Sequence, residues 1–393
     1  MASTSNQAAR ELLERCLRGE PWTRGQVRAL AREEALLTVV AEGLADRFEP
    51  ALCEAYAEIM AEALGCAAPL VPAEVLARYR RVRGARFRGP DPERVFVLSR
   101  VTLGADVAVT SVMLDGLKRR FPRAEIVFAG PRKNWELFER DARLRHLPLS
   151  YPRGTLRERL APWLAMRPAF ETGIVVDTDS RLTQLGLLPV CPEERYFLFE
   201  SRAYGAETGD ALPELAARWL RETFGAEGAE PYVALAEPAW TERVAVSLGV
   251  GENPAKRIAD PFEEELLRDT GACAIDLGAG GEEAERVKRA VERSGVAARV
   301  WDGSFAGFAA IISRSGLYVG YDSAGQHVAA ACGVPLVCIF AGYPAPRMFQ
   351  RWRPTGKGPI HIVRVEDPAP EAVLAEVKPI LRAVLSERRY PAR

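Results

Sequence analysis

Short, continuous apolar runs recur through most of the chain, each followed by a glycine or polar turn and then by a stretch with apolar residues at helical spacing. The runs at 95–99 (VFVLS), 126–128 (IVF) and 173–177 (GIVVD) form a first series. Those at 243–248 (RVAVSL), 272–277, 298–301, 317–319 and 336–340 form a second. Apolar strands alternating with helices predict parallel sheets covered by helices. The helix after the first run spans 107–121 and stops at Pro122, which cannot continue it. Residues 8–76 carry only the helical period, as in Leu12, Leu13, Cys16 and Leu17 and again in Leu36, Leu37, Val40 and Leu44. They predict a helical leader, and because it holds no polar constellation the expectation is a packing appendage or dimerisation surface. Residues 78–92 are rich in Arg, Gly and Pro and read as a linker whose charge run, RYRRVRGARFR, is solvated. The tail at 370–387 is helical again.

With 393 residues the chain exceeds the roughly 250–300 at which single cores stop growing, so two α/β domains and an appendage are expected. The boundaries fall at 1–90, 91–238 and 239–393. Charge balances, 53 basic against 53 acidic side chains, which gives no sign of a nucleic-acid binder. Seven cysteines without a CxxC pair suit a reducing compartment. The start, MASTSNQAARELLERC, lacks a basic stretch followed by an apolar core, and no run reaches the roughly 18–20 apolar residues of a membrane span. The expectation is a cytoplasmic protein, with peripheral contact at the inner face of the membrane left open by the Arg-rich patch. Only His146, His327 and His361 are present, none paired at ligand spacing, so neither a metal nor another cofactor is expected. No GxGxxG follows the first strand, so a dinucleotide site is unsupported.

Candidate chemistry gathers at strand ends. In LYVGYDSAGQHVAAACGVP (317–335) a strand, a polar turn and an Ala-rich helix follow one another, with Asp322 and Ser323 placed to cap the helix. The free amides near Ala324 and Gly325 and the helix dipole suit a phosphate. The loop SLGVGENPAKR (247–257) carries Gly251 and ends in Lys256 and Arg257, before the helix-start signal Asp260-Pro261, a context that suits phosphate contact. In GAGGEEAERVK (278–288) Glu282 and Glu283 fall in a first helical turn, where acidic side chains favour the dipole. Asp106 follows the first strand as a candidate general base or a simple helix cap. Arg181, after GIVVD, and Arg202, after a later apolar stretch, are placed to grip an anionic acceptor bidentately.

These segments resemble glycosyltransferase family 9, the heptosyltransferase-like enzymes. Asp322, Ser323 and His327, the Ala-rich turn, Gly333-Val334-Pro335 and the strand 336–340 are similar to its carboxyl-terminal signature, with Ala324 where the family has Gly and Ala341-Gly342 where it has Phe-Gly. LGADVAVTSVMLDGLKRRFPRAE (103–125) resembles its opening Gly-Asp-Val motif, with Ala105 replacing the Gly. The resemblance covers roughly residues 95–365 and implies a GT-B fold: two Rossmann-like domains facing across a cleft, acceptor domain first and donor domain second, with a last helix crossing back. It implies Asp106 as the base, Lys256 and Arg257 at the donor diphosphate, Glu282 or Glu283 at the ribose, and Asp322 to Gly325 and His327 around the donor. The implied activity is inverting, metal-independent transfer of a sugar, with heptose from ADP-heptose as one donor, to a cell-envelope glycolipid or saccharide. The alternatives are a non-catalytic sugar-nucleotide or saccharide-binding protein of the same fold, and a sugar-nucleotide epimerase or hydrolase.

Overall fold

The structure, a computed structural model, describes residues 2–251, 253–278 and 280–386. The first sheet takes β1 (Arg94–Leu98), β2 (Glu125–Gly130), β3 (Leu144–Pro148), β4 (Ile174–Asp177) and β5 (Tyr196–Leu198) in the order β3-β2-β1-β4-β5. The second takes β6 (Val244–Ser247), β7 (Cys273–Asp276), β8 (Ala298–Trp301), β9 (Leu317–Tyr321), β10 (Leu336–Phe340) and β11 (Ile360–Arg364) in the order β11-β10-β9-β6-β7-β8. Every pairing is parallel; Val97 lies between Phe128 and Val176, and Val246 opposes Val319. In each sheet the order reverses once, between β1 and β4 and between β6 and β9, and the loops leaving those strands open the crevice in which such sheets bind ligands.

The central strands are buried on both faces, which is why their sequences are uninterrupted apolar runs. The edge strands β3 (LRHLP) and β11 (IHIVR) keep polar residues, so the apolar-run criterion found neither, while the three-residue β5 coincides with the apolar stretch before Arg202.

The helical leader is no appendage. Leu12, Leu44, Ile59, Met60 and Leu64 share one apolar cluster with Phe96, Leu98, Val127, Val175 and Tyr196, so the leader covers one face of the first sheet. Val95, Val97, Ile126, Phe128 and Val176 point to the other face, against Met113, Leu117, Trp219 and Leu220. The expected linker is also different: the helix Pro72–Val82 runs into it, and its arginines are engaged. Arg78 is buried, stacked 4.4 Å from the Tyr196 ring centre and donating to the Gly186 carbonyl at 3.1 Å, while Arg81 and Arg83 pair with Glu193 and Glu200. Arginine stems bury well when the guanidinium finds carbonyls and rings, as at Arg78, while Arg80, Arg81, Arg86 and Arg88 stay exposed, as expected of the charge run.

The two halves meet tightly. The Ala-rich helix Ala324–Ala331 touches Leu103–Ala105 and the π-helical turn Asp106–Thr110. A side chain on Gly104 would place its Cβ 3.2 Å from Ala324 Cα and 3.3 Å from the His327 ring, so glycine there permits this approach. The helix Pro346–Trp352 and the residue after it fasten the halves further: Arg347, Arg351 and Arg353 donate to the carbonyls of Ala206, Gly205 and Gly209. The terminal helix, Pro370–Ser386, stays in the second half, its Val373, Val377 and Leu381 buried with Leu266, Val337 and Ile339, and does not cross back. Residue 387, expected at its end, lies outside the described residues. Among the described residues no helix is long and apolar enough to cross a membrane.

Candidate active site

Non-glycine residues with left-handed backbone include Val101 after β1 (φ 73°), Asp179, Gln184 and Leu185 after β4 (φ 68°, 50° and 56°) and Phe48 in the leader (φ 57°). For a β-branched or bulky residue that conformation is strained by about 1–3 kcal/mol and persists only where surroundings impose it. At Val101 the amide is held by Ser99 Oγ at 2.8 Å. π-Helical turns, common at functional sites, occur at Leu36–Ala41 and Asp106–Thr110.

Asp106 is sealed from solvent. Its carboxylate is fully buried and accepts four hydrogen bonds: from Ser99 Oγ (2.6 Å), the Arg100 amide (2.7 Å), Thr110 Oγ1 (2.6 Å) and Asn134 Nδ2 (2.6 Å). Burial raises its pKa even against those donors. A carboxylate with all its lone pairs engaged has none to offer a substrate hydroxyl, so in this conformation Asp106 ties the loop after β1 to its helix instead of serving as the expected base. Arg202 is likewise sealed. It is 3% exposed, forks onto Asp179 at 2.9 and 3.1 Å and lies 4.7 Å from the Tyr56 ring centre, so the expected acceptor contact is a buried structural pair. Arg181 keeps 39% of its side chain accessible and pairs with Glu42 of the leader at 3.3 Å.

In the second half Lys256 reaches from the β6 loop to the start of the Ala-rich helix, donating to the Asp322 carbonyl at 3.0 Å and to its carboxylate at 2.7 Å. Gln326 binds the other Asp322 oxygen. Ser323 occupies the cap position without a capping side-chain bond; its hydroxyl lies 3.4 Å from that of Tyr318. A Cβ on Gly325 would run into the Tyr318 ring and hydroxyl, which accounts for glycine one place later than the family pattern. Burial pulls His327 down to about 4, so its ring is neutral near pH 7, 6.0 Å from the Trp352 ring. Arg257 turns away from Lys256 and pairs with Asp260 and Glu263. Glu283 accepts from the Val250 and Gly251 amides at 2.8 and 3.2 Å and so holds the β6 loop, leaving Glu282 as the exposed one of the pair.

Four crevice residues escaped the sequence reading. Arg100 donates to the Thr178 carbonyl and to Ser201 Oγ and lies 5.9 Å from the Trp352 ring. Trp352 also meets Phe48, at 6.3 Å. Asp46 lies two residues before Phe48. Nothing in the leader's helical period marks these positions, although the Asp-Arg-Phe-Glu-Pro break after Ala45 is a place to look. Among the described residues no group of three or more His, Cys, Asp or Glu could hold a metal ion.

Residues 265–375 match the sequence profile of glycosyltransferase family 9 (heptosyltransferase). The second half carries a family 9 glycosyltransferase domain. Its matched span includes Glu282, Glu283 and the corner from Asp322 to His327, and begins after Lys256 and Arg257. The fold of the chain is GT-B, as in three similar solved structures. Escherichia coli heptosyltransferase WaaC, solved with ADP-2-deoxy-2-fluoro heptose, is 17% identical with a TM-score of 0.53 over 73% of this chain and 99% of that one. The ADP-heptose lipopolysaccharide heptosyltransferase II of E. coli is 17% identical at 0.51, over 75% and 100% of the two chains. A family 9 glycosyltransferase of Veillonella parvula is 15% identical at 0.54, over 77% and 92%. No protein of curated function matches the sequence.

Proposed function

We propose that this protein is an inverting glycosyltransferase that moves a sugar from a nucleoside diphosphate donor to a cell-envelope glycolipid or saccharide, on the cytoplasmic side of the membrane. Because the similar E. coli proteins are a heptosyltransferase solved with an ADP-heptose analogue and an ADP-heptose lipopolysaccharide heptosyltransferase, ADP-heptose is the first donor to test. The observation that carries the reading is Lys256. It crosses from the β6 loop to the β9 corner at the point where the second sheet reverses, and its two bonds to Asp322 leave one ammonium N–H for a phosphate oxygen. The first amides of Ala324–Ala331 lack helical partners and add dipole to the same corner. As the bond from anomeric carbon to phosphate oxygen breaks, the electron pair leaves with the diphosphate, and these donors meet the growing charge. No metal enters this reading.

Calorimetric titration with ADP, UDP and GDP tests it. One nucleotide should bind at micromolar affinity, indifferent to EDTA, and Lys256→Ala should weaken it about 10- to 100-fold, the worth of a charge-assisted hydrogen bond. Failure to bind any of them would refute the donor assignment. The sealed Asp106 carboxylate favours a second reading, a saccharide-binding protein without turnover; binding of a nucleotide sugar with no release of nucleoside diphosphate would establish it.

A further inference from the structure

The transferase reading needs a base that the crevice can reach, and most of its acids and bases are spoken for. Asp106 has four donors, Asp179 is forked by Arg202, Asp322 is held by Lys256 and Gln326, and Glu42 pairs with Arg181. His327 is too weakly basic, pulled down to about 4 by burial. Asp46 differs from all of them. It ends the short helix Glu42–Ala45, its amide bonded to the Glu42 carbonyl at 3.0 Å, and among the described residues no side chain hydrogen-bonds or ion-pairs with its carboxylate.

Its position is imposed from both halves. The next turn holds Phe48 in left-handed backbone, with its carbonyl bound by Arg347 of the second half at 3.1 Å and its ring against Trp352. One turn earlier Glu42 pairs with Arg181 of the β4 loop at 3.3 Å, so Asp46 lies between that pair and Phe48, and the charges of Arg181, Glu42, Lys256 and Arg100 act on its carboxylate. Only an intermediate fraction of the residue is accessible, and the charge of Lys256, which reaches the donor corner, bears on its carboxylate.

We propose that Asp46, carried into the crevice by the helical leader, is the general base of the transfer. This rests on the transferase reading. The acceptor hydroxyl oxygen attacks the anomeric carbon, its proton passes to the Asp46 carboxylate, the new glycosidic bond forms, and the old bond to phosphate breaks with its electrons on the leaving nucleoside diphosphate. Water can replace the acceptor, giving hydrolysis with the same proton transfer. Burial, opposed by Arg181 and assisted by Glu42, raises Asp46 to about 6, suiting a base that must accept a proton near neutrality and be free of one beforehand.

The experiment measures release of nucleoside diphosphate into water from ADP-heptose, UDP-glucose and GDP-mannose across pH 5–9, using the full chain and its Asp46→Asn, Asp46→Glu and Asp106→Asn variants. Nucleotide affinity and melting temperature are measured alongside. Expected is an acid limb near pH 6 in the parent protein. Asp46→Asn should lose turnover about 100-fold or more, without the limb, while nucleotide affinity stays within about threefold and melting is no lower. Asp46→Glu should recover part of the rate. Asp46→Asn at parental turnover with the limb retained would overturn the proposal alone. A parent protein that binds nucleotide but releases nothing from any donor would overturn the transferase reading and the proposal together.

Discussion

Replacing Asp106 by Ala distinguishes a structural carboxylate from a chemical one. The substitution removes the acceptor shared by Ser99, Arg100, Thr110 and Asn134. Two of those donors are hydroxyls that can rotate toward other acceptors. The Arg100 amide and Asn134 Nδ2 are fixed N–H groups, and a buried donor left without a partner costs about 1–3 kcal/mol. With the small void added, the loss comes to about 3–5 kcal/mol, a large part of the 5–15 kcal/mol typical of a folded domain. Asp106→Asn should lose only about 1–2 kcal/mol. Asn134 Oδ1 has no partner, so that amide can turn over and accept from the new side chain while Arg100 and Thr110 keep an oxygen. Denaturant unfolding followed by circular dichroism, with nucleotide titration on the same samples, measures both effects. The reasoning would be refuted if Asp106→Ala unfolded within about 1 kcal/mol of the parent protein, or if Asp106→Asn kept full stability and lost turnover about 100-fold while Asp46→Asn did not.

Arg202→Ala leaves Asp179 charged in a sealed site and should destabilise by about 3–5 kcal/mol, read as a shift in denaturant midpoint. Burial pushes the Asp179 carboxyl up, and Arg202 with Arg100 more than reverses this, so its folded pKa lies below the ordinary value. The parent protein therefore holds the pair's stabilisation above about pH 4 and loses it as pH falls through the folded pKa, a dependence that Arg202→Ala should flatten. Gly325→Ala drives a methyl group into the buried Tyr318 ring and should lower stability by about 1–3 kcal/mol, weakening nucleotide binding if the corner distorts; unaltered melting would show that Tyr318 yields.

What was legible in the chain follows from which physics leaves a local trace. Strands buried on both faces must be apolar throughout, so β1, β4, β6, β9 and β10 announced themselves, and with them both α/β halves. Edge strands such as β3 and β11 satisfy no such demand. The position of Lys256 was legible because its loop lies at a strand end, where open parallel sheets place their crevice. The roles of Arg257, Glu283 and Asp106 were not, because a charged residue at a helix start reads the same whether it faces a ligand or a buried partner. Asp46 is the extreme case. Its place in the crevice depends on a leader that covers the first sheet, on Phe48 caught by Arg347 and Trp352 some 300 positions later in the chain, and on cations from three separate loops. None of those contacts lies within one helical turn of residue 46, so periodicity carries no record of them. The same dependence explains why the leader belongs to the site: a carboxylate without a hydrogen-bond partner remains where burial penalises its charge only because contacts from both halves hold its backbone there. Removing the leader would therefore strip one face of the first sheet and take the Asp46 carboxylate away with it.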